Sequence, residues 1–274
     1  MSRPAAPTVE EILARAARLA PVFMERTTLV PYQAQGVLPS EVLFLWAATG
    51  EAGPARIVES GRARAHSTLL LARCFPAAEI VSIDRDSTAA AARAGRARLG
   101  DVGNVTLLDG DARALLPALV RAGDVVVIDG PKSFRALALA CQLLATRRPA
   151  QVFLHDYYRG LPERELLERL LPATRFSDEA QFVDRFAHLD RDAWAAITAQ
   201  TRSARRPYFV DGVPRASYGP TYACLPHEAN TPYAAIADSA LRAGFLARAH
   251  YVRSVGSRTA GSRAATRAEE EPER

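Results

Sequence analysis

Acidic residues end four of the short apolar runs in this sequence, and their side chains could hold a cation or a polar ligand. They are Glu59, Asp84, Asp129 and Asp156. The runs are rich in β-branched residues, which is typical of buried strands. If the strands are parallel, their carboxyl ends meet at one edge of the sheet, where the four carboxylates would repel one another. We therefore expect a positive charge among them: an ammonium group, a metal ion or the side chain of Lys132.

A glycine loop and two further polar residues add features of a ligand site. Gly61 directly follows the first run and would let the backbone approach a ligand closely. The next helix offers free N–H groups at its start, where Ser67 could cap the helix or bind an anion. Asp84 could accept hydrogen bonds from ribose hydroxyls, and Asp111 could cap a helix or receive the amino group of an adenine ring. The alternatives are a plain tight turn at Gly61 and a surface acid at Asp84.

The elements that must position these residues follow an alternating pattern. Ile57–Val58, Ile80–Ile83, Val105–Leu108, Val125–Ile128 and Val152–Leu154 are predicted strands. The stretches between them have helical composition: Ser67–Cys74, Ser87–Leu99, Ala112–Arg121 and Ser133–Thr146. This alternation predicts an α/β fold, a doubly wound and mostly parallel seven-stranded sheet with helices on both faces. A ligand should lie beyond the carboxyl ends of the strands.

Residues 1–50 are predicted to form N-terminal helices that pack on this core. The sequence Thr8–Glu11 is a capping box, which places the start of an amphipathic helix at about residues 9–24. Ser40 is then expected to cap a second helix, Glu41–Thr49, whose apolar residues point to burial on nearly all sides.

Residues 51–253 are predicted to form one Rossmann-like domain. A helical insert at about residues 160–200 follows the fifth strand, where it could form a lid or a substrate wall, pack on the sheet or contact a second copy of the chain. The runs Tyr208–Val210 and Thr221–Leu225 could complete the sheet, the second as an antiparallel edge. Residues 254–274 lack apolar periodicity and predict a disordered tail.

Composition narrows the class of protein. The 274 residues carry a net charge of +5, but the arginines are scattered and often neighbour acids, so a nucleic-acid partner is not expected. No uninterrupted apolar stretch of about 18 residues occurs, so a spanning helix and a membrane partner are not expected. Cys74, Cys141 and Cys224 are widely spaced and should be buried free thiols. Together with an N-terminus that lacks an apolar signal core, they favour a cytoplasmic location.

The residues above resemble the class I S-adenosylmethionine-dependent methyltransferases, in particular the catechol and caffeoyl-CoA type O-methyltransferases and their bacterial relatives. The resemblance covers about residues 37–157. It lies in five motifs that occur in order: Glu59-x-Gly61 followed by Ser67, then Asp84, Gly110-Asp111-Ala112, Asp129-Gly130-Pro131-Lys132 and His155-Asp156.

The resemblance implies S-adenosyl-L-methionine as cofactor and O-methylation of a small-molecule substrate. Glu59 and Gly61 would line the methionine part of the cofactor, and Ser67 would hold its carboxylate. Asp84 would hold the ribose hydroxyls, and Asp111 would face the adenine.

In metal-dependent members of the family, residues matching Asp129 and Asp156 bind Mg²⁺ or another divalent cation, and a lysine matching Lys132 is the general base. Two positions depart from the family pattern. Ala65 stands where a glycine is usual, and its added methyl could crowd the cofactor. Tyr157 stands where metal-dependent members have Asn, which removes an oxygen ligand of the kind that Mg²⁺ requires.

The role of Lys132, the only lysine of the chain, has several possible forms. It could act as a base only if its pKa were lowered, and neighbouring acids would raise it. Alternatively, Lys132 binds an anionic substrate group, pairs with Asp129 or is an ordinary surface charge. The catalytic base would then be His155, or no base would be needed.

Three other functions compete with a small-molecule methyltransferase. The first is a catalytically degenerate cofactor-binding protein of the same fold, in which Ala65 marks the altered site. A nicotinamide-dependent oxidoreductase is disfavoured because Gly61–His66 does not match G-x-G-x-x-G. A nucleic-acid methyltransferase is disfavoured because no Asn-Pro-Pro-Tyr-like motif follows the fourth strand. A homodimer is compatible with the sequence.

Overall fold

A computed structural model describes residues 6–33, 36–200, 209–210, 213–214 and 221–248. Its helices are α1 (Val9–Thr27), α2 (Pro39–Thr49), α3 (His66–Cys74), α4 (Ala90–Arg98), α5 (Ala112–Leu119), α6 (Phe134–Thr146), α7 (Pro162–Leu170), α8 (Ala180–Phe186), α9 (Arg191–Gln200) and α10 (233–248). Its strands are β1 (Arg56–Ser60), β2 (Glu79–Asp84), β3 (Val105–Asp109), β4 (Val125–Ile128), β5 (Gln151–Leu154), β6 (Arg175–Phe176), β7 (Phe209–Val210), β8 (Val213–Pro214) and β9 (Ala223–Pro226). The predicted tail, 254–274, lies outside the described residues.

Seven of these strands form one sheet in the order β3-β2-β1-β4-β5-β9-β6. Strands β1 to β5 pair in parallel, whereas β9 is antiparallel to both of its neighbours, β5 and β6. This arrangement confirms the predicted fold class, a doubly wound and mostly parallel sheet of seven strands with helices on both faces.

The last strands of the sheet differ from the prediction in detail. Strand β9 lies inside the sheet, and the edge strand is β6, which comes from the range expected to be a helical insert. Two residues are too few to show strand periodicity, and the buried ring of Phe176 is what anchors them. The predicted run Tyr208–Val210 does not join this sheet where it is described, because its last two residues form β7, which pairs only with β8.

Strand register brings the candidate residues to one edge. Ser60 at the end of β1 lies beside Ile83 of β2 and Ile128 of β4, and Ile128 lies beside Leu154 of β5. The residues that follow these strand ends therefore form a row, as expected for parallel strands.

Two apolar layers hold the sheet, because successive side chains of a strand point to opposite faces. One face of the sheet, including Ile57 and Val127, packs against α1, α2 and α3. The other face, including Val58 and Val126, packs against α5, α6 and the first half of α10.

Helix starts agree only partly with the prediction. The capping box of Thr8 and Glu11 is present at the start of α1. Helix α2 instead begins at Pro39, and the Glu41 carboxylate accepts the Leu38 N–H at 2.7 Å. The predicted cap by Ser40 is wrong, because its N–H and hydroxyl both donate to Asp190, at 2.7 and 2.5 Å, and so tie α2 to the turn before α9.

All three cysteines are free and buried, as predicted. Within the described residues, none of the helices combines the length and the apolar character needed to span a bilayer.

Candidate active site

The loop after β1 can be formed only with glycine at position 61. Gly61 has φ +94°, and its N–H donates to the Ile83 carbonyl at 3.0 Å. A Cβ atom at this position would lie 2.9 Å from the Asp129 carbonyl carbon and 3.0 Å from the Gly130 nitrogen. The loop after β1 and the loop after β4 therefore touch through backbone atoms, and this contact leaves no room for a side chain.

Ala65, the residue that departs from the family glycine, adopts a left-handed conformation with φ +58°. Its methyl group is fully buried with Leu69 and Leu99. Gly95 of α4 lies so close that a Cβ there would be 3.3 Å from the Ala65 methyl. Ala65 lines neither of the two cavities at the carboxyl edge of the sheet. Its methyl group packs against α4 instead.

Two cavities lie at the carboxyl edge of the sheet and share Gly61. The larger, of about 340 Å³, is lined by Asp84, Asp111 and Gly130 among others. The smaller, of about 90 Å³, is lined by Ser67 and His66 and by Asp129. The larger falls in the ordinary size range of small-molecule sites. Five residues predicted from the sequence to belong to the site thus line these cavities: Gly61, Ser67, Asp84, Asp111 and Asp129.

The acids of the larger cavity also organise the local backbone. Asp84 accepts the Ala63 N–H at 2.6 Å and thereby holds the glycine loop. Asp111 caps α5 by accepting the Arg113 N–H at 2.9 Å. Hydrogen bonds from the Arg113 side chain and backbone lower the pKa of Asp111 to about 2, so this partly exposed acid is ionised at neutral pH.

Glu59 lies beneath the glycine loop rather than in the lining of either cavity. Its side chain is almost fully buried and accepts hydrogen bonds from the hydroxyls of Thr68 and Ser82, the latter at 2.8 Å. Burial raises the pKa of Glu59, and hydrogen bonds from Ser67, Thr68 and Ser82 offset part of the rise. The position is suited to bracing the loop against α3 and β2.

Lys132 bridges the two acids that follow β4 and β5. Its ammonium group donates to Asp129 Oδ1 and, at 2.5 Å, to Asp156 Oδ2. Asp129 Oδ1 is also 2.7 Å from His155 Nδ1. The four residues form one chain of charge-assisted contacts, and of these only Asp129 lines the smaller cavity.

In this cluster, burial disfavours the charged form of each group, whereas the neighbouring opposite charges favour it. For Lys132, burial lowers the pKa, but Asp129 and Asp156 outweigh it, so the pKa is raised. For His155, burial is likewise outweighed by Asp129, Glu41 and Asp156, and the pKa lies well above its usual value. For Asp129, burial is outweighed by His155 and Lys132, and the pKa is lowered. The cluster therefore pairs an ammonium and an imidazolium with carboxylates.

Two residues of the cluster were missed from the sequence. Glu41 of α2 is about 1% exposed, and its Oε1 lies 3.5 Å from His155 Nε2; neither atom has another hydrogen-bond partner. The ring of Tyr222 packs at 5.2 Å from the His155 ring. The available signal was Glu41 itself, a single acid in a helix predicted to be buried on nearly all sides, because a buried carboxylate requires a partner.

A divalent ion does not fit the cluster as it stands. Asp129, His155 and Asp156 each place one ligand atom within 4.8 Å of the others. The two carboxylates, however, are already held by Lys132. Tyr157, at the position of the family Asn, is buried and donates its hydroxyl to the Ser133 carbonyl at 2.8 Å, so it offers no ligand.

His66, which was not predicted as a site residue, lines the smaller cavity and provides a pH-dependent test of the structure. It is about 4% exposed, and neither ring nitrogen has a hydrogen-bond partner. Burial, with the charge of Arg98, lowers the pKa of His66 from 6.5 to about 4. The unfolded chain therefore binds a proton between these two pH values that the folded chain does not bind, and stability must fall as the pH falls from 6.5 to 4.

We expect His66→Phe to lose part of this acid dependence. The contribution of His66 is at most about 3.5 kcal/mol, from roughly 1.4 kcal/mol per unit of pKa over the shift from 6.5 to about 4. Urea unfolding of wild type and variant at pH 7 and pH 4.5 measures it, and His188→Phe, at an exposed position, controls for loss of a histidine. Equal acid dependence of wild type and His66→Phe would contradict the assignment.

Comparison with known proteins returns only solved structures. No family model matches the chain, and no curated protein matches it. Cofactor-bound Rv0187 from MTB is 19% identical at a TM-score of 0.43, covering 83% of this chain and all of that one. The O-methyltransferase TomG from Streptomyces achromogenes, in complex with SAM, is 19% identical at 0.39, covering 81% and 92%. SAH-bound methyltransferase PaMTH1 from Podospora anserina is 15% identical at 0.40, covering 82% and 99%.

Proposed function

We propose that this protein is an S-adenosylmethionine-dependent methyltransferase that transfers the methyl group to a hydroxyl of a small molecule. The observation that carries the proposal is the pair of cavities that share Gly61, with Asp129 lining the smaller one. An elongated cofactor could span both cavities and place its reactive centre beside the Lys132–Asp129–His155 cluster.

The chain offers a suitable group for each part of the cofactor. Asp84 would accept hydrogen bonds from the ribose hydroxyls, and Asp111 would face the adenine in the larger cavity. Ser67 would hold the carboxylate of the methionine part in the smaller cavity. Gly61 would permit close approach of the ligand to the backbone where the cavities meet.

S-adenosylmethionine, when bound, supplies a methyl group on a positively charged sulfonium that an oxygen nucleophile can attack directly. The task of the chain is therefore to align the substrate hydroxyl and to accept its proton. Lys132 would hold the hydroxyl oxygen by donation from its ammonium group, and the Asp129 carboxylate would accept the hydroxyl hydrogen bond.

In this arrangement Asp129, rather than Lys132 or His155, is the proton acceptor. Lys132 and His155 are both charged beside their carboxylates and have no free lone pair to accept a proton. The hydroxyl proton becomes strongly acidic as the new O–C bond forms, so a carboxylate of low pKa suffices. His155 would hold the Asp129 carboxylate in place through its 2.7 Å contact.

Calorimetry with S-adenosylmethionine and S-adenosylhomocysteine tests the proposal. Asp84→Ala should weaken binding about 10- to 100-fold, the usual cost of losing hydrogen bonds to a charged group. Asp86→Ala, which removes an exposed acid two residues away, is the matched control and should bind like wild type. No binding to wild type at millimolar cofactor would contradict the proposed function, whereas equal binding by Asp84→Ala would contradict only the ribose assignment.

A further inference from the structure

We propose that the Lys132 ammonium is the resident cation of the acidic cluster and excludes a divalent metal ion that the same side chains would otherwise bind. A divalent ion fits this site poorly because one residue, Lys132, already holds both carboxylates. The proposal predicts that a single substitution, which removes the lysine charge, creates a metal-binding site.

Position is the first argument. Lys132 contacts Asp129 Oδ1 and lies 2.5 Å from Asp156 Oδ2. Hard divalent ions take carboxylate oxygens at about 2.0–2.6 Å. In this arrangement an ion that bridged the same two oxygens would have to displace the ammonium nitrogen, and Tyr157 supplies no third oxygen ligand that would favour the ion.

Charge is the second argument. Asp129 and Asp156 bring two negative charges, and Lys132 cancels one of them at contact distance. A divalent ion that approached the intact cluster would also meet the repulsion of the ammonium group. With the lysine charge removed, the two carboxylates would keep one neighbouring cation, the His155 imidazolium, instead of two.

The chemical types of the remaining ligands indicate which divalent ion the site would prefer. Without Lys132 the site offers two carboxylates and His155, which must release its proton to bind an ion; the ligand atoms lie within 4.8 Å of one another. Imidazole suits transition metals, whereas Mg²⁺ prefers oxygen. Tyr157 adds no oxygen, because its hydroxyl is turned to Ser133. Mn²⁺, which accepts carboxylate, imidazole and water, is the appropriate probe.

The test is titration of the full chain with Mn²⁺, followed by the electron paramagnetic resonance signal of free Mn²⁺. Lys132→Met keeps the length of the side chain without its charge, and Lys132→Arg keeps the charge. We expect Lys132→Met to bind one Mn²⁺ at least ~10-fold more tightly than wild type, since it removes one unit charge at contact distance. Lys132→Arg should bind no better than wild type.

A double variant identifies the site. Lys132→Met with Asp156→Asn should lose the gained affinity, because one of the two carboxylates is gone. The Lys132 side chain is about half exposed, so the variants should fold, and circular dichroism checks this. Lys132→Ala provides a second charge-free variant, for which the same gain is expected.

Two results would overturn the proposal. One is Mn²⁺ binding to wild type as tight as to Lys132→Met; the other is no gain in either charge-free variant. The measurement needs neither cofactor nor turnover, so its failure is distinguishable from failure of the proposed function.

Discussion

Gly61→Ala is expected to weaken S-adenosylhomocysteine binding at least ~100-fold, which is about 2.7 kcal/mol. The added Cβ would lie 2.9–3.0 Å from backbone atoms of Asp129 and Gly130, which cannot rotate away. The loops after β1 and β4 would have to separate, and the two cavities share this contact. Calorimetry on the folded variant measures the loss.

Gly123→Ala is the matched control, because it reproduces the backbone strain without the clash. Gly123 has φ +90°, close to the +94° of Gly61, but nothing lies within 4 Å of its Cβ position. It precedes β4, at the opposite edge of the sheet. Both variants should lose roughly 1–2 kcal/mol of stability from an alanine at positive φ. Gly61→Ala should lose more than this because of the clash, and only Gly61→Ala should lose ligand affinity. Unchanged affinity in Gly61→Ala, or an equal loss in both variants, would refute this account of the loop contact.

Arg164→Ala is expected to lower the free energy of unfolding by about 3–5 kcal/mol, the usual cost of breaking a buried ion pair. Arg164 is about 2% exposed and donates to both carboxylate oxygens of the equally buried Asp178, at 2.6 and 3.0 Å. It also donates to the Tyr157 carbonyl at 3.0 Å, and its guanidinium carbon lies 3.9 Å from the centre of the Phe176 ring. Removal would leave the Asp178 charge buried without its main partner.

Arg159→Ala controls for the loss of an arginine beside the same carboxylate. Its side chain is about half exposed, and its Nε lies 3.5 Å from Asp178 Oδ2, so it should cost less than ~1 kcal/mol. The double variant Arg164→Met with Asp178→Leu should recover much of the stability, because it leaves no unpaired charge that is buried; Glu168 and Arg159 lose a partner but are about half exposed. Urea unfolding measures the free energy of unfolding of the two single variants and the double variant. Similar losses of this free energy in Arg164→Ala and Arg159→Ala would refute the role assigned to Arg164.

The row of site residues at the sheet edge could be predicted because it depends only on the pattern of apolar runs. Strand ends of a parallel sheet must meet at one edge, so Asp84, Asp129 and Asp156 could be placed there from the sequence alone. The edge strand β6 could not be predicted, because a two-residue strand depends on tertiary pairing with β9.

The features of the site that could not be predicted depend on contacts between residues that are distant in the sequence. Glu41 reaches His155 only because α2 packs on the face of the sheet below β5, and no local pattern reports that contact. The room for the Ala65 methyl depends likewise on the close approach of Gly95, a residue of another helix. The charge of Lys132 depends likewise on Asp156, which follows the next strand and lies beside the ammonium group only in the folded chain.

The place of β9 has a consequence for how the chain acquires its site during synthesis. Strand β5 carries His155 and Asp156 at its end, yet its partner on one side, β9, is translated only after α7, β6, α8 and α9. Until then β5 presents an open edge of unpaired N–H and C=O groups flanked by apolar side chains, a surface that can pair with another chain. The nascent protein therefore carries a nearly complete glycine loop long before the β5 side of the sheet is closed, and this interval is where misassembly is expected.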